Sequence, residues 1–199
     1  MISLGLWSSH YKDAIQSSDS LHWQVAMNQE IESLQINQTW ALVQLPNGKK
    51  EIGCKWVYAK QGRFRYKAQL VAKGYAQKEG IDYNEIFSPV VQHSFLRILL
   101  ALVAQFNLEL AQLDVKTAFL HGDLGEEIYM VQPIGFYIVG QQHLACRLKK
   151  SLYVLKQSLC QWYKKFDHFM VEHMYTHSQF DHCVYYRCLD DGSFTESQV

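Results

Sequence analysis

The chain has 199 residues, 48% of them hydrophobic, with 5 Trp, 12 Tyr and 10 Phe, so it can bury a core and is not a disordered segment. Five scattered cysteines without a CxxC pair suit reduced thiols and an intracellular setting, cytoplasmic or nuclear. No targeting signal or membrane-length apolar run is seen, so no membrane partner is expected. The net charge of zero hides a pattern: residues 49–78 hold nine basic residues and one acid, and residues 147–165 hold six basic residues and no acid. Such segregation suits a surface facing a polyanion and equally suits two solvated basic faces.

Residues 1–19 form a polar lead-in. Trp23, Met27, Ile31 and Leu34 recur at helical spacing, which predicts a helix from Ser20 to about Ile36, stopped at Asn37. TWALVQL at 39–45 alternates as a strand does, and Pro46-Asn47-Gly48 reads as a turn. Residues 54–59 and 66–72 predict a basic β-hairpin turning near Gln61-Gly62. The apolar run 94–106 predicts a buried helix, and 111–115 a short strand carrying Asp114 at its end. Residues 128–131 and 144–148 predict a further strand pair, 160–174 an amphipathic helix, and 183–187 a last strand. Asp190-Asp191-Gly192 then reads as a hairpin turn whose second strand is expected to be absent.

Several of these segments together resemble one known family. NQTWALVQLP, GCKWVYAK and RYKAQLVAKGYAQKEGIDYNEIFSPVV resemble the fingers of copia-type retrotransposon reverse transcriptases. QLDVKTAFLHGDLGEEIYMVQPIGF and LKKSLYVLKQSLCQWYKKFDHFM resemble that family's first palm motif and the motif and helix after it. The matches keep the family's order over roughly residues 12–193. Ordered matches of this length are far more specific than a single short motif.

The resemblance implies an α+β right-hand polymerase fold: a lead-in at 1–19, a fingers-like region at 20–110 with the basic hairpin at 54–74, and a partial palm at 111–199. It also implies a template–primer of RNA or DNA and a deoxynucleotide as partners. The parent it implies is a polyprotein with integrase and ribonuclease H parts. Nucleotidyl transfer needs two Mg²⁺ ions held by carboxylates and phosphate oxygens. Asp114 matches the family's first metal-binding aspartate, and the Val115 carbonyl could add a ligand. The resemblance places Phe119 under the sugar, where an aromatic ring would exclude a 2′-hydroxyl. It also places Lys67, Lys73, Tyr153 and Lys156, with Val115, around the nucleotide.

The sequence departs from the family at informative positions. The fingers arginine is Gln69, a neutral amide that cannot grip phosphate as a guanidinium does. A motif glycine is Val154, which would be strained if that position takes positive φ. The two-aspartate strand that should follow is not found within the 199 residues, and Asp190-Asp191 fit a turn instead. The histidines at 168, 173, 177 and 182 lack a zinc-like spacing and read as surface and core residues. Three readings stay open: a non-catalytic reverse transcriptase fragment, a host-retained nucleic-acid-binding module, or an enzyme active only when completed by downstream sequence.

Overall fold

The computed structural model describes residues 5–8, 10–62, 65–188 and 194–198. A short strand β1 (Gly5–Ser8) and helix α1 (Tyr11–Gln16) precede the long helix α2 (Ser20–Ile36). The bounds of α2 agree with its periodicity. Trp23, Ala26, Met27, Ile31 and Leu34 recur every three to four residues and are all buried, forming one apolar stripe. Asn37 ends the helix, its side chain donating to the Ser33 carbonyl at 2.8 Å.

That stripe packs on a three-stranded sheet ordered β1-β4-β5, where β4 is Cys54–Gln61 and β5 is Arg65–Ala72. The two long strands pair antiparallel from Cys54 opposite Ala72 to Gln61 opposite Arg65, the hairpin expected from the sequence. Side chains alternate across a strand. Trp56, Tyr58, Ala68, Leu70 and Ala72 are buried on the helix side. Trp23 meets Tyr58 and Tyr66 edge-on at 5.2 and 4.7 Å, and the Tyr58 hydroxyl donates to the Met27 sulfur at 3.2 Å.

Strand β5 is the edge of this sheet, and an open edge exposes unpaired backbone groups. Two of them are occupied from outside the sheet. The Leu70 N–H donates to the Glu30 carboxylate on α2 at 3.2 Å. The Ala72 N–H donates to the Tyr153 carbonyl at 3.0 Å.

A second sheet, ordered β2-β7-β6-β3, consists of Trp40–Val43, Ala145–Leu148, Tyr129–Met130 and Glu51–Ile52 in that order. It joins segments on both sides of residue 110, and one hydrophobic core runs from Ala14 through Leu155. The 46–49 turn and the pairing of β6 with β7 follow the sequence reading. Gln132, buried, holds the 132–144 loop by donating to the Gln141 and Leu144 carbonyls and accepting the Ile138 N–H.

The third sheet is β10-β9-β8, all antiparallel: Phe194–Gln198, Val184–Cys188 and Thr176–His177. Here the sequence reading needs correction. Residues 194–198 supply a second arm for the last hairpin, pairing Phe194 with Cys188 through Gln198 with Val184. The Asp190-Asp191-Gly192 turn lies outside the described residues. Helix α4 (Ser158–Glu172) precedes this sheet.

Two further corrections concern residues 93–115. Helix α3 (His93–Phe106) forms as expected, but none of its residues is buried. Leu96, Ile98, Leu100, Leu102 and Phe106 are all exposed. An apolar helix is buried only where another element lies across it, and no described element packs extensively on this one. Its entry is tethered by Asp181, whose carboxylate accepts the Gln92 N–H at 2.9 Å. Residues 111–115 do not form a strand. A strand exists through its ladder partner, and β8 and β10 occupy both edges of β9. Among the described residues, no helix is long and apolar enough to cross a membrane.

Burial therefore divides the apolar residues into two sets with different energetic weight. Leu70→Ala is expected to cost about 2–5 kcal/mol of unfolding free energy, whereas Leu113→Ala, at a residue 89% exposed, should change it by less than about 0.5 kcal/mol. Urea titrations of both variants check this. A loss of several kcal/mol for Leu113→Ala would show that the 108–115 segment is covered.

Candidate functional site

The hairpin face turned away from α2 follows from cross-strand register. Lys55 stands opposite Val71, Val57 opposite Gln69, and Ala59 opposite Lys67. Lys55, Lys67 and Gln69 therefore share a face, one basic end of which meets the 151–157 loop. The Gln69 side chain stands beside the Tyr153 hydroxyl. Tyr153 in turn meets Phe119 edge-on, with ring centroids 5.5 Å apart. Phe119 sits in a 3-10 turn, Ala118–His121, packed against α4. Close approach there requires Gly122, where a Cβ would lie 2.9 Å from the Cβ of Gln161.

Lys73 follows β5 and donates its N–H to the Gly53 carbonyl at 2.8 Å, its aliphatic stem lying over Gly53. Lys156 is exposed between the buried Leu155 and Gln157. Several other basic residues are taken by acids. Lys60 pairs with Asp19 at 2.7 Å, Lys164 with Glu85 at 2.7 Å, Arg147 with Glu127 at 3.1 Å, and Lys150 with Asp123. Lys55, Lys67, Lys73 and Lys156 form no ion pair among the described residues, so their charge is free to act on a ligand.

The structure thus brings Gln69, Lys73, Phe119, Tyr153 and Lys156 to the region where the hairpin meets the 151–157 loop, with Lys67 on the same hairpin face as Gln69, further along β5. Asp114 and Val115 are exposed in the extended segment leading to Phe119 and make no hydrogen bond or ion pair among the described residues. No three His, Cys, Asp or Glu side chains among the described residues stand close enough to hold a metal ion. The donor set around Asp114 therefore does not fit a site for two divalent ions. The histidines have other partners: His168 faces Glu172 at 3.2 Å, His173 the Phe169 carbonyl at 2.8 Å, and His177 the Asp167 carboxylate at 2.8 Å.

Burial sets the titration of the groups around the junction. The Tyr153 hydroxyl is pushed up by burial and by the nearby Glu30 carboxylate, an effect partly offset by the neighbouring Gln69 amide. Glu30 is pushed above the usual carboxylate range by burial, against the bond from the Leu70 N–H and the charge of Lys67. Burial also raises the thiols of Cys54 and Cys146, to about 11 and about 12. Those thiols are poor nucleophiles at neutral pH.

Glu30, Gln77 and Gln157 were not legible as site residues. The two glutamines are buried, and no spacing marks an amide for that fate. Val154 was legible. It adopts φ +71°, the left-handed region that a β-branched side chain tolerates poorly. Its carbonyl abuts Gly74, where a Cβ would come within 1.9 Å of the oxygen. The strained valine and the required glycine thus form one contact, two residues beyond β5.

Residues 37–195 match the family described as reverse transcriptase (RNA-dependent DNA polymerase), and the chain belongs to that family. It is 50% identical over 188 residues to the retrovirus-related Pol polyprotein from transposon TNT 1-94 of Nicotiana tabacum, covering 92% of this chain and 14% of that polyprotein. It is 42% identical over 162 residues to the Pol polyprotein from transposon RE2 of Arabidopsis thaliana, covering 78% of this chain and 11% of the relative. The corresponding polyprotein from transposon RE1 of the same plant is 40% identical over 169 residues, 82% of this chain and 12% of the relative. The copia-type resemblance therefore holds, and the chain spans no more than 14% of the length of these relatives. No solved structure matches it.

Three substitutions test the electrostatics and strain of the junction. Val154→Gly should stabilise the chain by about 1 kcal/mol, since a left-handed L-residue costs about 1–2 kcal/mol and glycine returns part of that as chain entropy. Gly74→Ala should destabilise it, because the new Cβ meets a backbone carbonyl. Glu30→Gln keeps an acceptor for the Leu70 N–H and removes the buried charge. A carboxyl whose folded pKa is raised loses stability as pH climbs through that window, so the glutamine variant should melt higher than wild type at pH 7. The difference should vanish below pH 4, where both states of the wild type are protonated. Thermal melts at the two pH values check the sign.

Proposed function

We propose that these residues form the fingers and part of the palm of a right-hand polymerase of the copia type, with the hairpin face as its nucleic-acid surface. The observation carrying this reading is the junction itself: Lys67 on β5 and Lys73 just beyond its end, neither in an ion pair among the described residues, flank Gln69, which stands beside Tyr153 and through it Phe119. In this reading Lys67 and Lys73 attract phosphate, and Lys156 adds a third cation from the loop. Phe119 and Tyr153 offer aromatic surface to the sugar and base of a deoxynucleotide. The substrate class is an RNA or DNA template–primer with deoxynucleotides.

Catalysis in this family draws on Mg²⁺, which polarises the reacting phosphate when bound. Asp114 and the Val115 carbonyl are the residues of this chain that would contribute to holding it. A single carboxylate cannot neutralise and orient two divalent ions. The 199 residues by themselves are therefore proposed to bind nucleic acid without extending it.

Purified as this chain, the protein should not extend a primer on poly-rA template with Mg²⁺ or Mn²⁺. Extension abolished by Asp114→Asn would overturn the inactive reading. Duplex binding should weaken linearly on a plot of log affinity against log salt. Changing Lys67 and Lys73 together to Glu should flatten that slope. An unchanged slope would remove the hairpin from the binding surface.

A further inference from the structure

Beneath the junction lies a buried chain of side-chain amides that the proposed binding surface does not use. The Lys156 N–H donates to the Gln77 side-chain oxygen at 2.9 Å. The Gln77 side-chain nitrogen donates to the Gln157 side-chain oxygen at 3.1 Å. The Gln157 nitrogen donates to the Asp82 carbonyl at 3.1 Å. A backbone donor at one end and a backbone acceptor at the other fix the orientation of both amides, so the chain has one direction. Gln77 is 7% exposed and Gln157 fully buried. A buried amide left without partners is costly, which makes this arrangement exacting about side-chain type.

The chain joins two segments that meet the candidate surface from different sides. Residues 74–83 leave the end of β5, beginning with Gly74 against Val154. The Gln77 N–H is itself fixed by donating to the Gly74 carbonyl at 3.1 Å. Residues 151–157 carry Tyr153 and Lys156. At the far end of this loop the Ser158 hydroxyl donates to the Leu152 carbonyl at 2.7 Å. Among the described residues, Gln77 is the one side chain that reaches from the first segment to the backbone from which Lys156 projects.

We propose that Gln77 is a positioning residue, whose side-chain amide sets where the Lys156 side chain leaves the 151–157 loop and so aims that cation at bound nucleic-acid phosphate. The proposal rests on the reading of this surface as a nucleic-acid site. Gln77 touches no ligand itself. It acts through the backbone of Lys156 and the amide of Gln157. A lysine whose base is released keeps its charge but loses a defined place to present it.

The test is a double-mutant cycle on the 199-residue chain, read as the salt dependence of its affinity for a fluorescein-labelled DNA duplex with a recessed end. Lys156→Ala should lower the slope of log affinity against log salt by about 1, the effect of one phosphate contact. Gln77→Leu should lower it by a similar amount, and the double variant by no more than either alone. Thermal melts establish that each variant is folded. Gln77→Glu guards against Gln77→Leu failing to fold and adds a readout that simple packing would not move. A protonated carboxyl can accept the Lys156 N–H and donate to Gln157, whereas a carboxylate cannot donate. Relative to wild type at the same pH, this variant should therefore match wild type near pH 5 and resemble Gln77→Leu at pH 8. The charged side chains on the bridged segments are Lys78, Glu79, Asp82 and Lys156, of which Asp82 accepts the Lys78 N–H at 2.8 Å. Additive slopes, or a folded Gln77 variant with the wild-type slope at pH 8, overturn the positioning role and leave the nucleic-acid reading standing. No slope change for Lys156→Ala overturns the proposal and leaves the hairpin reading standing, whereas no binding by the wild type overturns both together.

Discussion

The structure turns on the free edge of β5. A strand edge is a row of unpaired donors and acceptors, and here it is completed by a carboxylate from α2 and a carbonyl from the 151–157 loop. The second bond, from the Ala72 N–H to the Tyr153 carbonyl, draws that loop to the end of the basic hairpin. The rest of the junction depends on it. Gly74 can pack on the Val154 carbonyl because the loop is already held there. Gln69 reaches the Tyr153 hydroxyl, and Tyr153 reaches Phe119, because the backbone between them is pinned. Neither a helix stripe nor a strand pattern supplies this joint. It comes from two backbone groups in segments about eighty residues apart.

Buried charge and strain are concentrated around the same joint. Glu30 is desolvated while bonding the strand edge, and Val154 holds a backbone angle that suits glycine. Both features lower stability locally: Val154 lies in the loop that faces the proposed ligand, and Glu30 lies on α2, behind the hairpin. Strain of this kind persists only where surrounding contacts over-determine it. The buried amides of Gln77 and Gln157 and the capped edge of β5 supply those contacts.

Most regular elements were legible in the sequence, and for identifiable reasons. The Trp23-to-Leu34 spacing defines α2 because its stripe meets a sheet that needs covering. The hairpin of β4 and β5 was legible because alternation and a short turn fix its register locally. Where the expectation failed, it failed for want of a partner. The apolar pattern of α3 gave a helix but could not say that nothing would lie over Leu100 or Phe106. The 111–115 segment has strand-like composition, but β9 is already paired on both sides. The short C-terminal sequence was read as lacking a second arm, yet backbone pairing asks little of side chains and residues 194–198 supply one.

The candidate site was legible as a list of residues through family resemblance, and as an arrangement only through the structure. Lys73, Phe119, Tyr153 and Lys156 lie at the junction and Lys67 further along the same hairpin face, whereas Asp114 stands exposed before it. Hydrogen exchange measured with and without a recessed DNA duplex tests the central claim most directly. If the hairpin and the loop form one surface, the duplex should slow exchange in residues 65–73 and 151–157 together. Protection confined to one of these segments, or found only elsewhere in the chain, would contradict it.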